Sequence, residues 1–143
     1  MIRVVATGTF DLLHPGHILY LERSRALGDE LVVIVARDLN VKHKPKPIVP
    51  EQQRLQLVSA LKAVDLAVLG SETDIFKTIQ SLKPDIITLG YDQHFDPALL
   101  KIELSKRGLD PKIVRIEANE PCELCSSRSI VAKILSRYRG RRF

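Results

Sequence analysis

The stretch GTFDLLHPGH, residues 8–17, separates a short apolar run at 2–6 from a segment with helical periodicity. This order predicts a strand, a sharp turn and a helix. Exposed backbone N–H groups and the positive end of the helix dipole make such a turn an anion site. Its two glycines let backbone and ligand approach closely. His14 and His17 are three residues apart at the start of the helix, so both can point at the same ligand oxygens.

Two other interpretations of these histidines stay open. A His-x-x-His pair can ligate zinc, and both rings can serve only as caps of a tight turn. The phosphate interpretation is favoured because no third metal ligand lies nearby and because Pro15-Gly16 suits a turn over a phosphate.

Short β-branched runs alternate with amphipathic stretches along the chain. Continuous apolar runs suit strands that are covered on both faces, as in a parallel sheet between two layers of helices. We therefore predict an α/β fold, a Rossmann-like doubly wound parallel sheet of five strands in a single domain, residues 1–143. The predicted strands are 2–6, 31–36, 66–69, 85–89 and 112–116. The predicted helices run from Pro15 to a left-handed turn at Gly28, and over 51–62, 73–82, 97–106 and 126–138.

The chemically richest segments follow predicted strands. In an open parallel sheet, ligands bind beyond the carboxyl ends of the strands. We expect residues 7–17, 37–46 and 90–94 to converge there. The stretch 42–50 contains three prolines and three lysines, so it is predicted to be a loop.

The motif GTFD followed by HPGH resembles the signature of the HxGH nucleotidyltransferases, the cytidylyltransferase-like group. Further positions follow in the family's order along essentially the whole chain. The resemblance implies that an acceptor phosphate attacks the α-phosphorus of a nucleoside triphosphate in line, and that pyrophosphate leaves without a covalent enzyme intermediate. Such a reaction asks a protein mainly for positioning and for positive charge.

The resemblance also implies a role for each matched position. The implied catalytic residues are His14, His17, Lys46 and Arg128. The implied nucleotide contacts, besides both histidines, are Thr9, Phe10, Asp11, Asp92, Ser126, Ser127 and Ser129. Other implied contacts to substrate or phosphate are Asp38, Lys44, Arg54 and Tyr91. Asp11 and Asp38 are also candidate ligands of a divalent cation (Mg, Mn or Co), or supports for a neighbouring histidine or lysine.

Several of these positions keep a structural alternative. The lysines at 44 and 46 can belong to a solvated basic loop, and the serines at 126–129 can be an ordinary helix N-cap. Tyr91 can stack on a base or a flavin ring, or it can close its loop onto the sheet.

Cys-x-x-Cys at 122–125, Ala-Arg-Asp at 36–38 and Gly-Tyr-Asp-Gln at 90–93 resemble the archaeal FAD synthetase group. This resemblance implies ATP and FMN as substrates. The alternatives are a cytidylyltransferase that uses CTP and a small alcohol phosphate such as glycerol 3-phosphate, or a non-catalytic nucleotide- or RNA-binding module. Cys122 and Cys125 admit three interpretations: half of a zinc site completed across a dimer, a redox-sensitive pair that modulates activity, or thiols near the substrate.

The composition limits the classes of partner that the protein is expected to bind. The net charge is +5, but the basic tail at 137–143 holds four arginines and no acid. The rest of the domain is nearly neutral, so we expect no nucleic-acid partner. The longest apolar run, 31–36, is far shorter than the roughly 20 residues that cross a bilayer. Two cysteines suggest a reducing compartment, so we expect a cytoplasmic protein without a membrane partner. The family resemblance implies a homodimer.

Overall fold

The computed structural model describes residues 1–42, 45–91, 93, 95–117 and 121–141. The strands are β1 (Arg3–Gly8), β2 (Glu30–Val35), β3 (Leu66–Leu69), β4 (Ile86–Gly90) and β5 (Lys112–Ile116). Within these residues they form one parallel five-stranded sheet in the order β3-β2-β1-β4-β5. The helices are α1 (Pro15–Arg25), α2 (Glu51–Ser59), α3 (Ile75–Leu82), α4 (Pro97–Lys106) and α5 (Ser127–Tyr138). The predicted doubly wound α/β fold is confirmed.

Side chains that alternate along the strands fill two cores, one on each face of the sheet. On one face, Val4 shares a core with Leu21 of α1 and Val58 of α2. On the other face, Val5 shares a core with Ile79 of α3 and Leu104 of α4. Burial of each such side chain contributes about 1.5–3 kcal/mol. Because both faces are covered, the strands carry the continuous apolar runs from which a parallel sheet was predicted.

The first helix is shorter than predicted, and Gly28 has a different purpose. α1 ends at Arg25, and the amides of Leu27 and Gly28 donate to carbonyls three residues back, the tighter spacing common at helix ends. Gly28 is not in the left-handed conformation that we predicted. A Cβ at this position would lie 2.8 Å from the carbonyl oxygen of Ile2. Glycine is therefore required here for close approach of two backbones.

Three other helices also differ from prediction at one end. α5 begins at Ser127, with Ser126 as its N-cap, rather than at residue 126. α2 ends at Ser59 rather than at residue 62. α3 begins at Ile75 rather than at residue 73, because the Asp74 side chain caps it by accepting a hydrogen bond from Phe76 N at 3.0 Å. Among the described residues, no helix is both long and apolar enough to cross a membrane.

The strand order places a crevice above the middle of the sheet. β1 is central, with β2 on one side and β4 on the other. The chain first builds outward through β2 to β3 and then returns to add β4 and β5. In such sheets the connections diverge above the carboxyl ends of the two strands where the direction reverses. Thr7, Gly8 and Gly90 lie at those ends, so the crevice is where a ligand is expected.

Candidate active site

His14 and His17 stand at the start of α1 with their ring centroids 3.8 Å apart. His14 Nδ1 accepts a hydrogen bond from Gly16 N at 3.1 Å, and His17 Nδ1 accepts one from His14 N at 3.3 Å. An Nδ1 atom that accepts carries no proton in the neutral ring, so the ring proton is on Nε2. The fold therefore holds both imidazoles as Nε2–H donors at the positive end of the helix dipole.

The turn that leads to these histidines is strained. Phe10 and Leu12 have φ values of 57° and 43°, in the left-handed region that costs a side-chain-bearing residue about 1–2 kcal/mol. The Phe10 ring fills the space beneath the turn, 5.5 Å from the His17 ring and 6.5 Å from the Tyr20 ring between centroids. A Cβ on Gly8 would lie 2.8 Å from the Phe10 ring, so this glycine makes room for it.

The structure places the Phe10 side chain in the core, and the nucleotide contact that the resemblance implied for this residue stays a prediction. This residue is only 3% exposed and belongs to the core between the sheet, α1 and α2. Its ring supports the imidazole of His17 from below.

Asp11 joins three segments of the chain at the sheet edge. Its carboxylate accepts hydrogen bonds from Ile48 N at 2.9 Å and from Val49 N at 3.0 Å. Its carbonyl oxygen accepts a hydrogen bond from Ser127 Oγ at 2.9 Å. The turn after β1 therefore meets the proline-rich segment at Ile48 and Val49, just beyond the stretch 37–46 that was expected to approach it, and the start of α5 joins them.

Arg54 positions the loops at this edge of the sheet, and the substrate contact that the resemblance implied for it stays a prediction. Its side chain is fully buried. The guanidinium donates to the carbonyl oxygens of Val49, Thr9 and Ala36 at 2.6–2.8 Å and to Asp38 Oδ1 at 2.6 Å. A buried charge is stable only when it is paired and hydrogen-bonded, and these acceptors use four of the five guanidinium N–H donors. Arg54 thus binds the ends of β1 and β2 to the proline-rich segment.

The two candidate metal ligands have protein partners. Asp38 accepts from Arg54 and, at 3.3 Å, from Glu51 N, while Asp11 accepts from two backbone amides. Within the described ranges, no three His, Cys, Asp or Glu side chains converge on a common point. Lys46 Nζ donates to the Asp38 carbonyl oxygen at 2.8 Å, which places this lysine at the same edge. Lys44 lies outside the described residues.

The serines before and at the start of α5 form an N-cap. Ser126 Oγ accepts a hydrogen bond from Ser129 N at 3.0 Å, and Ser129 Oγ donates to the Ser126 carbonyl oxygen at 2.9 Å. Ser127 is bonded to the histidine turn through Asp11. Arg128 is exposed and makes no ion pair among the residues that the structure describes. The N-cap alternative is therefore present, and it brings the positive end of a second helix dipole to the turn.

Cys122 and Cys125 are joined by a disulfide, which the sequence did not lead us to predict. Neither sulfur is then a thiolate that could ligate zinc. A Cβ on Gly16 would lie 3.0 Å from the carbonyl oxygen of Cys125, so the disulfide-closed segment packs directly on the first turn of α1. Between the cysteines, Glu123 accepts a hydrogen bond from Lys133 Nζ at 2.8 Å, and this bond lowers the pKa of the Glu123 carboxyl.

The segment after β4 is held by two residues that sequence reasoning missed as site residues. Gln93 accepts a hydrogen bond from Gly90 N at 2.7 Å and donates one to the Thr7 carbonyl oxygen at 3.0 Å, so it bridges β4 and β1. Arg115 of β5 donates to the carbonyl oxygens of Gly90, Gln93 and Phe95 at 2.8, 3.0 and 2.6 Å. An arginine inside a short apolar strand was the available signal for this role.

Two predicted contacts belong to the same segment. Tyr91 is 51% exposed, so its ring is not buried against the sheet. Asp92 lies outside the described residues.

Residues 5–133 match the model of the cytidylyltransferase-like family, and the chain belongs to that family. Its relatives include proteins named FAD synthase. One from Methanothrix thermoacetophila is 73% identical over 135 residues, which cover 94% of each chain. Another from Archaeoglobus profundus is 63% identical over 141 residues, covering 99% of this chain and 91% of the relative.

Solved structures agree with the fold. A crystal structure described as the lipopolysaccharide core biosynthesis protein from Thermoplasma volcanium has a TM-score of 0.81 and 56% identity, and covers 84% of this chain and 99% of its own. Pantoate-β-alanine ligase from Francisella tularensis has a TM-score of 0.63 at 20% identity, over 96% of this chain and 66% of the ligase. The second comparison supports the fold alone.

Proposed function

We propose that this nucleotidyltransferase transfers the AMP moiety of ATP to the phosphate of FMN, giving FAD and pyrophosphate. The observation that carries the proposal is the 73% identity, over almost the whole chain, to a protein named FAD synthase. The histidine turn supplies the matching chemistry, because it presents donors and a helix dipole to an anion.

The transfer is a single displacement. An oxygen of the FMN phosphate attacks the α-phosphorus of ATP in line, the new P–O bond forms, and the bond to the β-phosphate oxygen breaks. The electron pair leaves with pyrophosphate. No covalent enzyme intermediate is required, so the protein contributes by aligning two phosphates and by stabilising the negative charge on the transferring group.

His14 and His17 are the proposed donors to that charge. Their Nδ1 atoms already accept backbone hydrogen bonds, so each ring presents an Nε2–H group that does not need to reorganise during the reaction. Preorganised donors of this kind are among the largest contributions to enzymatic rate.

The remaining contacts are proposed from the family's order of residues. Lys46 and Lys44 close on the phosphates, and Arg128 is a bidentate phosphate donor at the start of α5. Thr9, Asp11 and the serines at 126, 127 and 129 surround the triphosphate. Asp92 and Tyr91 contact the nucleoside. Asp11 and Asp38 also order this site through the hydrogen bonds described above.

Asp11 and Asp38 do not fit a metal site built by the protein alone, because their carboxylates accept from backbone amides and from Arg54. We propose that a divalent cation arrives on the triphosphate, whose oxygens are the ligands that Mg²⁺ prefers. No step above depends on it.

We propose that Cys122 and Cys125 modulate activity through their redox state. The disulfide closes a segment that packs against Gly16, between the two histidines. Reduction frees that segment and changes the packing over the turn. The Cys122→Ser, Cys125→Ser double variant is expected to fold normally and to have an activity that dithiothreitol and thiol reagents do not change. Loss of folding would assign the pair a structural role instead.

We further propose a homodimer, which the resemblance implies, and a cytoplasmic location, which the cysteine content suggests. The outer side of α5 exposes Ile134 and Leu135, at 46% and 60%, which a partner subunit could cover. Light scattering on protein eluting from a size-exclusion column tests the oligomeric state, and a monomer at micromolar concentration would contradict the dimer.

The experiment that tests the function uses the purified, reduced protein with FMN, with ATP or CTP in turn, and with Mg, Mn or Co. FAD and pyrophosphate are expected with ATP. Pyrophosphate released only with CTP and glycerol 3-phosphate would contradict the proposal and favour the cytidylyltransferase alternative.

A further inference from the structure

A cavity of about 20 Å³ lies between the first turns of α3 and α4, above the ends of β1 and β4. The phosphate chemistry makes no use of it. Its lining includes Thr7 of β1, Ile75 and Phe76 of α3, Phe95 just before α4, and Leu100 in α4. Thr7 is 7% exposed, and its Oγ1 atom is the only buried side-chain polar atom among the described residues without a hydrogen-bond partner.

Burial does not by itself explain the unpaired hydroxyl of Thr7. A buried hydroxyl without a partner costs about 1–3 kcal/mol. Thr88 of the neighbouring strand is at least as buried, yet on the opposite face of the sheet its Oγ1 is 2.8 Å from Ser24 Oγ. The fold therefore satisfies one of two comparable hydroxyls and leaves the other facing an apolar cavity.

Water is a poor partner for Thr7 Oγ1. The cavity has room for about one water molecule, but a buried water typically makes two to four hydrogen bonds. The other lining side chains named above are apolar and offer it none. The missing partner is therefore best supplied by an atom of a ligand.

We propose that this cavity is the inner end of the pocket for the isoalloxazine ring of FMN, an inference that rests on the proposed function. The ring is flat and aromatic, and its edge carries nitrogen and oxygen acceptors. Its apolar faces can pack against the side chains of Phe95 and Ile75, which are 40% and 36% exposed at the mouth of the cavity. One acceptor at its edge receives the Thr7 hydroxyl proton in a hydrogen bond.

The walls of the cavity differ in how firmly they are held. Phe76 is the fixed wall: the Arg107 guanidinium lies 4.9 Å from the centre of its ring and donates to Asp74 Oδ2 at 2.8 Å. Phe95 is the movable wall, because Arg115 binds its backbone carbonyl and leaves the ring half in solvent. The flavin ring is larger than the cavity, so it enters by displacing the Phe95 side chain.

The position also suits the reaction. Thr7 immediately precedes Gly8, where the histidine turn begins. FMN carries its ring and its phosphate at opposite ends of a ribityl chain. A ring beside Thr7 therefore directs the phosphate along the sheet edge toward His14 and His17.

The test compares Thr7→Val with Thr88→Val. Both changes remove a hydroxyl from a buried strand position and keep the side-chain shape. Flavin affinity is read from the quenching of flavin fluorescence, with FMN and with riboflavin as probes, at saturating concentration of an ATP analogue that cannot be cleaved. The same proteins are assayed for the KM values of FMN and ATP and for Tm.

Thr7→Val is expected to weaken binding of both FMN and riboflavin by about five- to tenfold, since the lost bond is to the ring. Its KM for ATP should not change, and its Tm should stay or rise, because an unsatisfied polar atom is removed. Thr88→Val should lower Tm and leave flavin affinity unchanged. Phe95→Ala should also weaken both flavins, through lost ring contact.

Unchanged flavin affinity in Thr7→Val, or an equal loss in Thr88→Val, would overturn the pocket. The two proposals fail separately. If the wild-type protein makes FAD and the Thr7→Val variant binds flavin as tightly as wild type does, the pocket proposal is refuted and the proposed function stands. If the wild-type protein makes no FAD but its riboflavin affinity depends on Thr7, the proposed function is refuted and the pocket proposal stands.

Discussion

The histidine turn and the cavity beside Thr7 lie at the same edge of one sheet, and they are built in opposite ways. In the turn, backbone amides bind His14 and His17 at Nδ1, and strained φ values at Phe10 and Leu12 are held in place by packing. In the cavity, a buried hydroxyl has no partner and one wall is half exposed.

The contrast follows from what each region has to bind. Charge that develops on a phosphate is best stabilised by donors that are oriented beforehand, so rigidity is useful there. A large flat ring needs an apolar surface that it can enter, so an incomplete surface is useful in the second region. The first three of the four predictions below test this difference, and the fourth concerns an ion pair beside the turn.

Arg54→Met should destabilise the loops that hold the histidine turn. The change leaves Asp38 and three carbonyl oxygens without their buried donor. Asp38 is 41% exposed and can be solvated, but each carbonyl oxygen left without its donor costs about 1–3 kcal/mol, so we expect the free energy of unfolding to fall by at least about 3 kcal/mol. Urea unfolding measures it. Arg54→Lys keeps the charge but not the planar set of N–H donors, so its free energy of unfolding should lie between those of wild type and Arg54→Met. A variant of full stability that has lost only ATP affinity would return Arg54 to the substrate contacts.

His17→Ala should remove one preorganised donor. Loss of such a donor raises the barrier by about 3–4 kcal/mol in other enzymes, so kcat should fall by roughly two to three orders of magnitude. His17→Glu is the matched control for folding, because a glutamate at the third helical position can also cap the first turn. It should restore Tm and leave kcat low. A kcat within threefold of wild type in His17→Ala would remove this histidine from the reaction.

Arg115→Ala should sharpen the comparison by releasing the segment after β4. Three carbonyl bonds are lost, and the segment that carries Asp92, the predicted nucleotide contact, must then be ordered at the expense of binding energy. We expect the KM for ATP to rise about tenfold with kcat within threefold. Arg107→Ala, which releases the Phe76 wall, should instead raise the KM for FMN. The same KM change in both variants would show that the two regions are not separate.

The smallest expected effect concerns the ion pair between Glu123 and Lys133. Lys133 lowers the pKa of the Glu123 carboxyl below its ordinary value of 4.5. A lowered pKa means that the pair stabilises the fold above pH 4.5 and that this contribution is lost as the pH falls further. The Tm difference between wild type and Lys133→Ala should therefore be present at pH 7 and shrink below pH 4.5. Both groups are exposed, so salt should also reduce it. A difference that grew on acidification would contradict this assignment.

The elements of the fold were accessible to prediction because their signals are local. Runs of β-branched residues marked all five strands to within two residues at either end. Helix ends were less accurate: Gly28 was predicted to be a left-handed cap, but the close approach of Ile2 and Val4 explains the glycine.

The site was predictable as a place but not in the details of each side chain. The motif at 8–17 located the turn together with Asp11, and the order of loops located Lys46 at the same edge of the sheet. The family resemblance implied that Arg54 and Phe10 contact the ligand. Only their burial shows that one binds backbone carbonyls and the other packs under a histidine.

Local pattern alone was enough to recognise an α/β chain with an anion-binding turn, because periodicity and turn chemistry act over a few neighbouring residues. Tertiary structure decided which polar groups find partners. Arg54 reaches three segments, Arg115 holds a segment 20 to 25 residues earlier, and the Thr7 hydroxyl faces an apolar cavity without a partner among the described residues. Those outcomes depend on side chains that meet only after the sheet has formed, so no spacing in the sequence encodes them directly.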